Sequence, residues 1–434
     1  MTLSDSTTII IADDLTGAND TALQFFKTGC KTKIIIDFNK DFSSDDADVW
    51  AVTTESRNVD KQIALDRLIK VTDKVIEHIK PEKFYKKIDS TLRGHVGLEV
   101  IALLDKAQKD AAIIAPAYVE EKRSTLGAYQ LLDGIVIDRT QCALDPKAPI
   151  TESYIPDILK KDVNPDFSDL IDSIGLKTVT KGAGPISLKI KELIQKGKKL
   201  IVVDAMSKTD LEQIALAIDK SEFDILPVGS AGLAHAFNKV FYCAKTNIKD
   251  HKIPALKRLI VSGSATKLTR NQIDSLKERK NNVFFVDLTI EDIVCNNKDE
   301  LVSNIVRKLD SDLDVVVHVC NISSSLSSEQ GTNTLIDAGI TQEEIGDRIT
   351  DFLSELTYLV NQQTKFILIT IGGETSYKCA YKIGSTFLEI VDSILPAIPL
   401  CKDINDKTIV TKSGNFGTST TLLDIINYFD RLDN

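Results

Sequence analysis

The chain has 434 residues, 43% hydrophobic and 27% charged, which is enough to bury substantial cores and to form two or three domains. Its net charge of −10 and pI near 5.2 argue against nucleic-acid binding, which needs a basic face. No apolar run approaches the roughly 20 residues that span a bilayer, and no basic stretch precedes an apolar signal core at the start, so a cytoplasmic protein that binds no membrane is expected.

Short β-branched runs alternate with helical patterns, the signature of parallel strands joined by crossover helices. Strands are expected at Thr7–Asp13, Lys31–Phe38, Asp48–Ser56, Lys83–Asp89, Ala111–Ala117 and Leu200–Ala205. Between the third and fourth, residues Asp60–Ile79 carry helical spacing at Ile63, Leu65, Leu68, Ile69, Val71, Val75 and Ile76, and another helix should follow Gly94. A polar stretch ending in Ile253-Pro254 suits a linker, placed at 241–257. A second alternation then begins, with strands expected from Arg258 and at Asn282–Leu288, Asp314–Cys320 and Lys365–Gly373. The expected architecture is α/β with two domains, 1–240 and 258–434. Each has a mainly parallel sheet flanked by helices, and the active site is expected in the interdomain cleft.

The first strand runs into Ala12-Asp13-Asp14-Leu15-Thr16-Gly17-Ala18-Asn19-Asp20. Carboxylates and a Thr-Gly turn therefore stand at a strand's carboxyl end, where open α/β sheets bind ligands. One acidic residue or Thr16 would serve as a helix cap, but three Asp, a Thr and an Asn exceed what a cap requires. Lys86-Lys87-Ile88-Asp89-Ser90-Thr91-Leu92-Arg93-Gly94 ends another strand with cations, hydroxyls and a carboxylate, a set suited to a polyhydroxy acid. Arg57 follows the third strand and should reach the same sheet edge.

In the second half, Ser262-Gly263-Ser264-Ala265-Thr266 joins a strand to a helix, as do Gly372-Gly373-Glu374-Thr375-Ser376 and Lys412-Ser413-Gly414-Asn415-Phe416-Gly417. Small residues there let backbone N–H groups approach an anion at a helix N-terminus. One such turn is ordinary; three in one domain point to phosphate.

The chain has no GxxxxGK[ST] loop, no HRD or DFG set and no GxGxxG at its start. Its seven cysteines include no CxxC, and its five histidines show no metal-ligand spacing, so neither disulfides nor structural zinc are indicated.

Six ordered segments, ADDLTGAND, KKIDSTLRG, PVGSAGLA, SGSATKLT, IGGETS and KSGNFG, span nearly the whole chain, about residues 7 to 429, and resemble the four-carbon acid sugar kinase family. The resemblance implies an N-terminal sugar-binding domain and a C-terminal nucleotide-binding domain. It also implies ATP-dependent phosphorylation of the terminal hydroxyl of D-threonate, D-erythronate or 3-oxo-tetronate. Carried over by motif, substrate contacts fall on Asp13, Arg57, Lys87, Ile88, Asp89 and Ser90, with Arg93 close by. Nucleotide contacts fall on Ser264, Gly372, Gly373, Glu374, Thr375 and Gly414, and Thr266 keeps a hydroxyl where members often have Ser. Glu120-Glu121-Lys122 stands where a small or apolar loop is more usual, a departure that bears on substrate choice.

Arg57, Arg93 and Lys87 are expected to hold the acid's carboxylate and polar groups, with a carboxylate taking the hydroxyl proton late in transfer. Asp14, Asp20 and Asp89 are the candidates beside Asp13, and the residues do not rank them. Asp13 and Asp14 would face opposite ways on a regular strand. Mg²⁺ is expected with ATP, held largely by phosphate oxygens and water, with Glu374 a candidate ligand. D-threonate or D-erythronate is the expected acceptor; a 3-oxo-tetronate 4-kinase or a kinase for a related branched sugar acid, and a non-catalytic sugar-acid and nucleotide sensor, are the alternatives. The oligomeric state stays open, a homo-oligomer included.

Overall fold

The structure is a computed structural model, and it describes residues 7–38, 47–145, 148–161, 169–242, 252–296, 298–319, 341 and 344–432. Most of the expected linker, 243–251, and Cys320 at the end of an expected strand lie outside these residues. The described residues cluster into two compact units, one of 7–35 with 47–242, the other of 36–38 with 252–432.

In the first unit the strands are β1 (Thr8–Ala12), β2 (Thr32–Ile35), β3 (Val49–Thr53), β4 (Lys83–Lys87) and β5 (Ala111–Ala115). After them come β6 (Arg123–Leu126), β7 (Tyr129–Leu132), β8 (Ile135–Val136), β9 (Ile171–Ile174), β10 (Leu200–Val203) and β11 (Ile225–Gly229). Eight of these form a parallel array in the order β2-β3-β1-β4-β11-β5-β10-β9. Every residue of β1, β3 and β5 is buried, as continuous Val, Ile and Ala runs require when helices cover both faces. The chain runs from β1 outward to β2, back to β3, then across to β4. The strand order therefore reverses at β1, and the carboxyl ends of β3, β1 and β4 lie side by side.

Strands β6, β7 and β8 form a small antiparallel sheet. Its two tight turns, Gly127-Ala128 and Asp133-Gly134, hold both central residues at positive φ (61° and 62°, 52° and 80°), the geometry that matches strand twist. The buried Asp204 carboxylate ties this sheet down, accepting from the backbone N–H of Gly127 (2.8 Å), Ala128 (2.8 Å) and Leu176 (2.9 Å).

The second unit contains β12 (Arg258–Ser262), β13 (Val283–Leu288), β14 (Asp314–Val319), β15 (Ile367–Ile371), β16 (Phe387–Leu395), β17 (Ile398–Asp403) and β18 (Thr408–Lys412). The order β13-β14-β12-β15-β18 is parallel; β17 and β16 then continue antiparallel. Here too the order reverses at the unit's first strand. The core joins Ile260, Ile369, Ile371 and Val410 to Ile273 and Leu276 of helix Lys267–Arg279 and to Leu422, Ile425 and Phe429 of helix Thr421–Leu432. Among the described residues, no helix is long and apolar enough to cross a membrane.

Candidate active site

β1 stops at Ala12, and Asp14 takes extended angles (φ −146°, ψ 159°) as the cap of helix Leu15–Phe26, its Oδ1 accepting from Gly17 N at 2.7 Å. Because the chain has already turned, Asp13 and Asp14 do not diverge as strand alternation predicts. Both carboxylates meet on Arg57: Nε and Nη2 donate to Asp13 at 2.7 and 2.9 Å, and Nη1 and Nη2 donate to Asp14 at 2.6 and 2.8 Å. Four of the five guanidinium N–H donors are thereby used, and Asp89 Oδ1 stands 3.9 Å from Nη2. The fork expected to hold a substrate carboxylate is here filled by the protein's own carboxylates. Burial opposes the ionised form of Asp13, but Arg57, then Lys87 and Lys86, hold its carboxyl below the usual range.

The β4 end supplies the rest. Asp89 is gripped by Arg93 through Nε (2.8 Å) and Nη2 (3.1 Å), and it accepts the Thr91 hydroxyl. Against the penalty of burial, Arg93 and Arg57 hold its carboxyl well below the normal value. Arg93 Nη1 also reaches Asp145 at 3.0 Å. Ile88 is fixed by its main chain, its N–H donating to Gly229 O at 3.0 Å, while the Ser90 carbonyl accepts from Gln130 Nε2 at 2.7 Å. Lys86 is committed elsewhere, to a buried pair with Glu99 at 2.6 Å.

Lys87 is 5% exposed, and among the described residues the one hydrogen bond its Nζ makes is to the Ile88 carbonyl at 2.8 Å. A Cβ built on Gly17 would fall 2.8 Å from that ammonium and 2.7 Å from Asp14 Oδ1, so Gly17 is the space into which the cation packs. Lys87 also acts electrostatically on both Asp13 and Asp20. Asp20, on the first helix, is bonded by Gln24 Nε2 at 3.4 Å, and its charge acts on the Tyr118 hydroxyl, whose pKa is raised by burial and by Asp20. Burial pushes its pKa up to about 6; Lys87 and Gln24 oppose the rise and the charge of Glu121 adds to it. Glu55, pushed up to about 7 by burial and by Asp14, bonds Leu15 N at 2.9 Å and Thr53 Oγ1 at 2.8 Å. Beside these groups the first unit opens a cavity of about 680 Å³ lined by Arg57, Leu92, Arg93, Gly94 and Pro149.

In the second unit three turns follow β12, β15 and β18, strands that are neighbours in the sheet. Thr266 caps helix Lys267–Arg279, and its hydroxyl donates to the Gly414 carbonyl at 2.9 Å, as does that of Thr269. Thr269 Oγ1 also stands 2.9 Å from Ser264 Oγ. A Cβ on Gly414 would lie 2.1 Å from Ser264 Oγ, and one on Gly263 would lie 2.2 Å from Oγ1 of the buried Thr375. Gly372 has φ 114°, which other residues rarely adopt, and its N–H donates to Lys412 O at 2.8 Å. Helix Gly373–Lys382 begins with no side-chain cap, which leaves its first N–H groups to an incoming acceptor.

Residues 8–237 match the family model described as a sugar-binding N-terminal domain, and residues 259–422 match the nucleotide-binding C-terminal domain. The chain belongs to the four-carbon acid sugar kinase family. Relatives of this acid sugar kinase include the D-threonate kinase of Salmonella typhimurium, 29% identical over 98% of both chains. The D-erythronate kinase of Heliobacterium modesticaldum is 28% identical over 98% of this chain and 97% of its own. The 3-oxo-tetronate kinase of Haemophilus influenzae is 23% identical over 94% and 96%. The fold is shared with crystal structures of a Haemophilus influenzae protein (TM-score 0.74, 23% identity, 97% and 100% covered) and of a Salmonella typhimurium protein described as a putative tRNA synthase (0.79, 20%, 98% and 99%).

For this acid sugar kinase the structure brings Asp13, Asp14, Arg57, Asp89 and Arg93 into one ion network, with Lys87 linking it electrostatically to Asp20. Glu374 accepts from Thr350 Oγ1 and pairs with Lys378, both at 3.2 Å. Among the described residues no group of three or more His, Cys, Asp or Glu could cage a metal ion. Glu374, the carboxylate expected beside a nucleotide's magnesium, stands in the first turn of the helix that follows β15. Sequence reasoning missed Glu55 and Tyr118. Glu55 stood within the quoted strand end, and Tyr118 precedes the unusual Glu120-Glu121-Lys122 turn, whose Glu121 raises the pKa of Asp20.

Proposed function

We propose that this enzyme transfers the γ-phosphoryl group of ATP to the C4 hydroxyl of a four-carbon sugar acid, D-threonate or D-erythronate. The observation that carries the reading is the segregation of two kinds of site. Carboxylates and cations converge at three neighbouring strand ends of the first unit, while tight glycine and hydroxyl turns occupy three strand ends of the second.

Lys87, with two ammonium donors unspent among the described residues, is the anion contact, assisted by the N–H groups that Arg57 and Arg93 have left over there. Asp13 and Asp89, fixed and ionised by their arginines, accept hydroxyls of the acid. Among the candidate bases, Asp89 is held too acidic by its arginines, and Asp14 is spent on Arg57 and Gly17. Asp20, with a pKa near 6, is ionised at neutral pH yet basic enough to take the hydroxyl proton as the O–P bond forms. The nucleotide's phosphates would sit on the backbone donors at Ser264, Gly373, Thr375 and Gly414, with Gly372, whose own N–H is held by the Lys412 carbonyl, turning the chain beneath them, and magnesium would neutralise charge on them.

The test is a coupled ATP-consumption assay across D-threonate, D-erythronate and their 3-oxo forms, with the product's phosphate position read by NMR. Acid-dependent turnover giving the 4-phosphate is expected. Turnover with the 3-oxo acid alone would reassign the substrate, and binding of both ligands without turnover would make the protein a sensor.

A further inference from the structure

Lys412, the last residue of β18, is 2% exposed. The one hydrogen bond its Nζ makes is to the Ser413 carbonyl at 2.7 Å, and among the described residues no carboxylate forms an ion pair with it. The charged groups on the elements packed against β18 are engaged elsewhere. Lys402 pairs with Asp406 at 2.6 Å, and Asp403 accepts from Ser385 Oγ and from the N–H groups of Asn405 and Lys407. Glu374 is taken by Lys378 and Thr350, and Lys382 by Glu355. Burial alone pushes the Lys412 ammonium down to about 8, with no neighbouring charge contributing.

A buried ammonium without a counter-ion is costly, and a fold retains one where something else supplies the negative charge. The position says what that is. Lys412 bonds the carbonyl of the residue before Gly414, and its own carbonyl accepts from Gly372 N. It therefore sits where two of the three nucleotide turns meet, at the carboxyl edge of the sheet.

We propose that Lys412 is a phosphate-binding residue, its ammonium the built-in counter-charge for the β- and γ-phosphates of the nucleotide seated at Ser264, Gly372 and Gly414. This rests on the nucleotide-binding reading of the second unit. Arrival of the phosphates restores the lysine's affinity for its proton, so nucleotide binding takes up a proton once the pH exceeds about 8.

The experiment is calorimetry of ATP, ADP and AMP on wild type and Lys412→Met, in two buffers of different ionisation heat, between about pH 7 and 9.5. Wild type is expected to take up a proton on binding ADP near pH 9 and to lose affinity as the pH rises. Lys412→Met should bind ATP and ADP at least about tenfold more weakly, keep AMP affinity, show no linked proton and, free of nucleotide, melt higher than wild type. A merely structural lysine would give the reverse, a lower melting temperature with nucleotide affinity intact. The inference is overturned if Lys412→Met binds ADP as wild type does, or if wild type binds ADP near pH 9 with no proton taken up, a measurement that needs no variant. If wild type binds no nucleotide at all, the nucleotide-binding reading fails first and takes the inference with it.

Discussion

Truncating Arg57 to alanine tests the ion network directly. The guanidinium makes four hydrogen bonds to Asp13 and Asp14 and is 11% exposed, with Asp89 a further 3.9 Å away. Removing it strands Asp13 and Asp14, whose carboxylates have no other cation at salt-bridge distance among the described residues, and breaking such a buried pair costs about 3–5 kcal/mol. For a unit of this size that is a fall of about 6–20 °C in melting temperature. The pH dependence gives the sign. In wild type, Asp13 and Asp89 titrate below the usual carboxylate value, so their contribution is complete above about pH 4 and is lost as the pH drops through their lowered pKa values. Without Arg57, burial, the largest influence on Asp13, raises that carboxyl's pKa. The penalty is then present at neutral pH and relieved on acidification. Differential scanning calorimetry of Arg57→Ala and wild type at about pH 7.5 and about pH 5 should show a deficit that shrinks at the lower value. A variant that melts within about 2 °C of wild type at about pH 7.5, or whose deficit grows on acidification, would refute the argument.

Asp20→Asn should lower kcat by about 10²- to 10⁴-fold while calorimetry shows both ligands still bound. In wild type, kcat/KM should fall as the pH drops through about 6; a profile flat from pH 5 to 8 would remove Asp20 from the role of base. Gly414→Ala places a methyl 2.1 Å from Ser264 Oγ, so ADP affinity should drop at least about tenfold with sugar-acid affinity kept. Adding Ser264→Gly should restore part of the loss, and no recovery in the double variant would count against a steric cause.

The parts of the candidate site that were legible in the sequence are those where polar and small residues are packed into a few consecutive positions at the end of a β-branched run. The segments after β1, β4, β12, β15 and β18 were of this kind. Helical periodicity also located residues 61–78, but it identified only Leu68 and Val75 of the buried stripe. Ala64, Leu68, Thr72 and Val75 face inward, while Ile63 and Ile76, which share the apolar spacing, are 44% and 37% exposed. The small sheet β6–β8 was overlooked even though Asp133-Gly134 is a strong hairpin signal, because strands of two to four residues carry too little alternation to stand out. The engagement of Arg57 by two aspartates was beyond reach for another reason. Partners 43 and 44 residues apart meet only once the strand order is known, and the turn after Ala12 cancels the alternation that would have separated them.

The hydroxyls of Thr266 and Thr269 both donate to the carbonyl of Gly414, residues 148 and 145 positions further along the chain. The turn that opens the second unit is thus completed by the last of the described strands to be made, one that enters the sheet beside β15 rather than at an edge. During synthesis the first unit can fold as soon as it emerges. The turns proposed for the nucleotide cannot take their shape until β18 exists, so a nascent or truncated chain ending before Thr408 would carry the sugar-binding unit without the completed turns proposed for ATP.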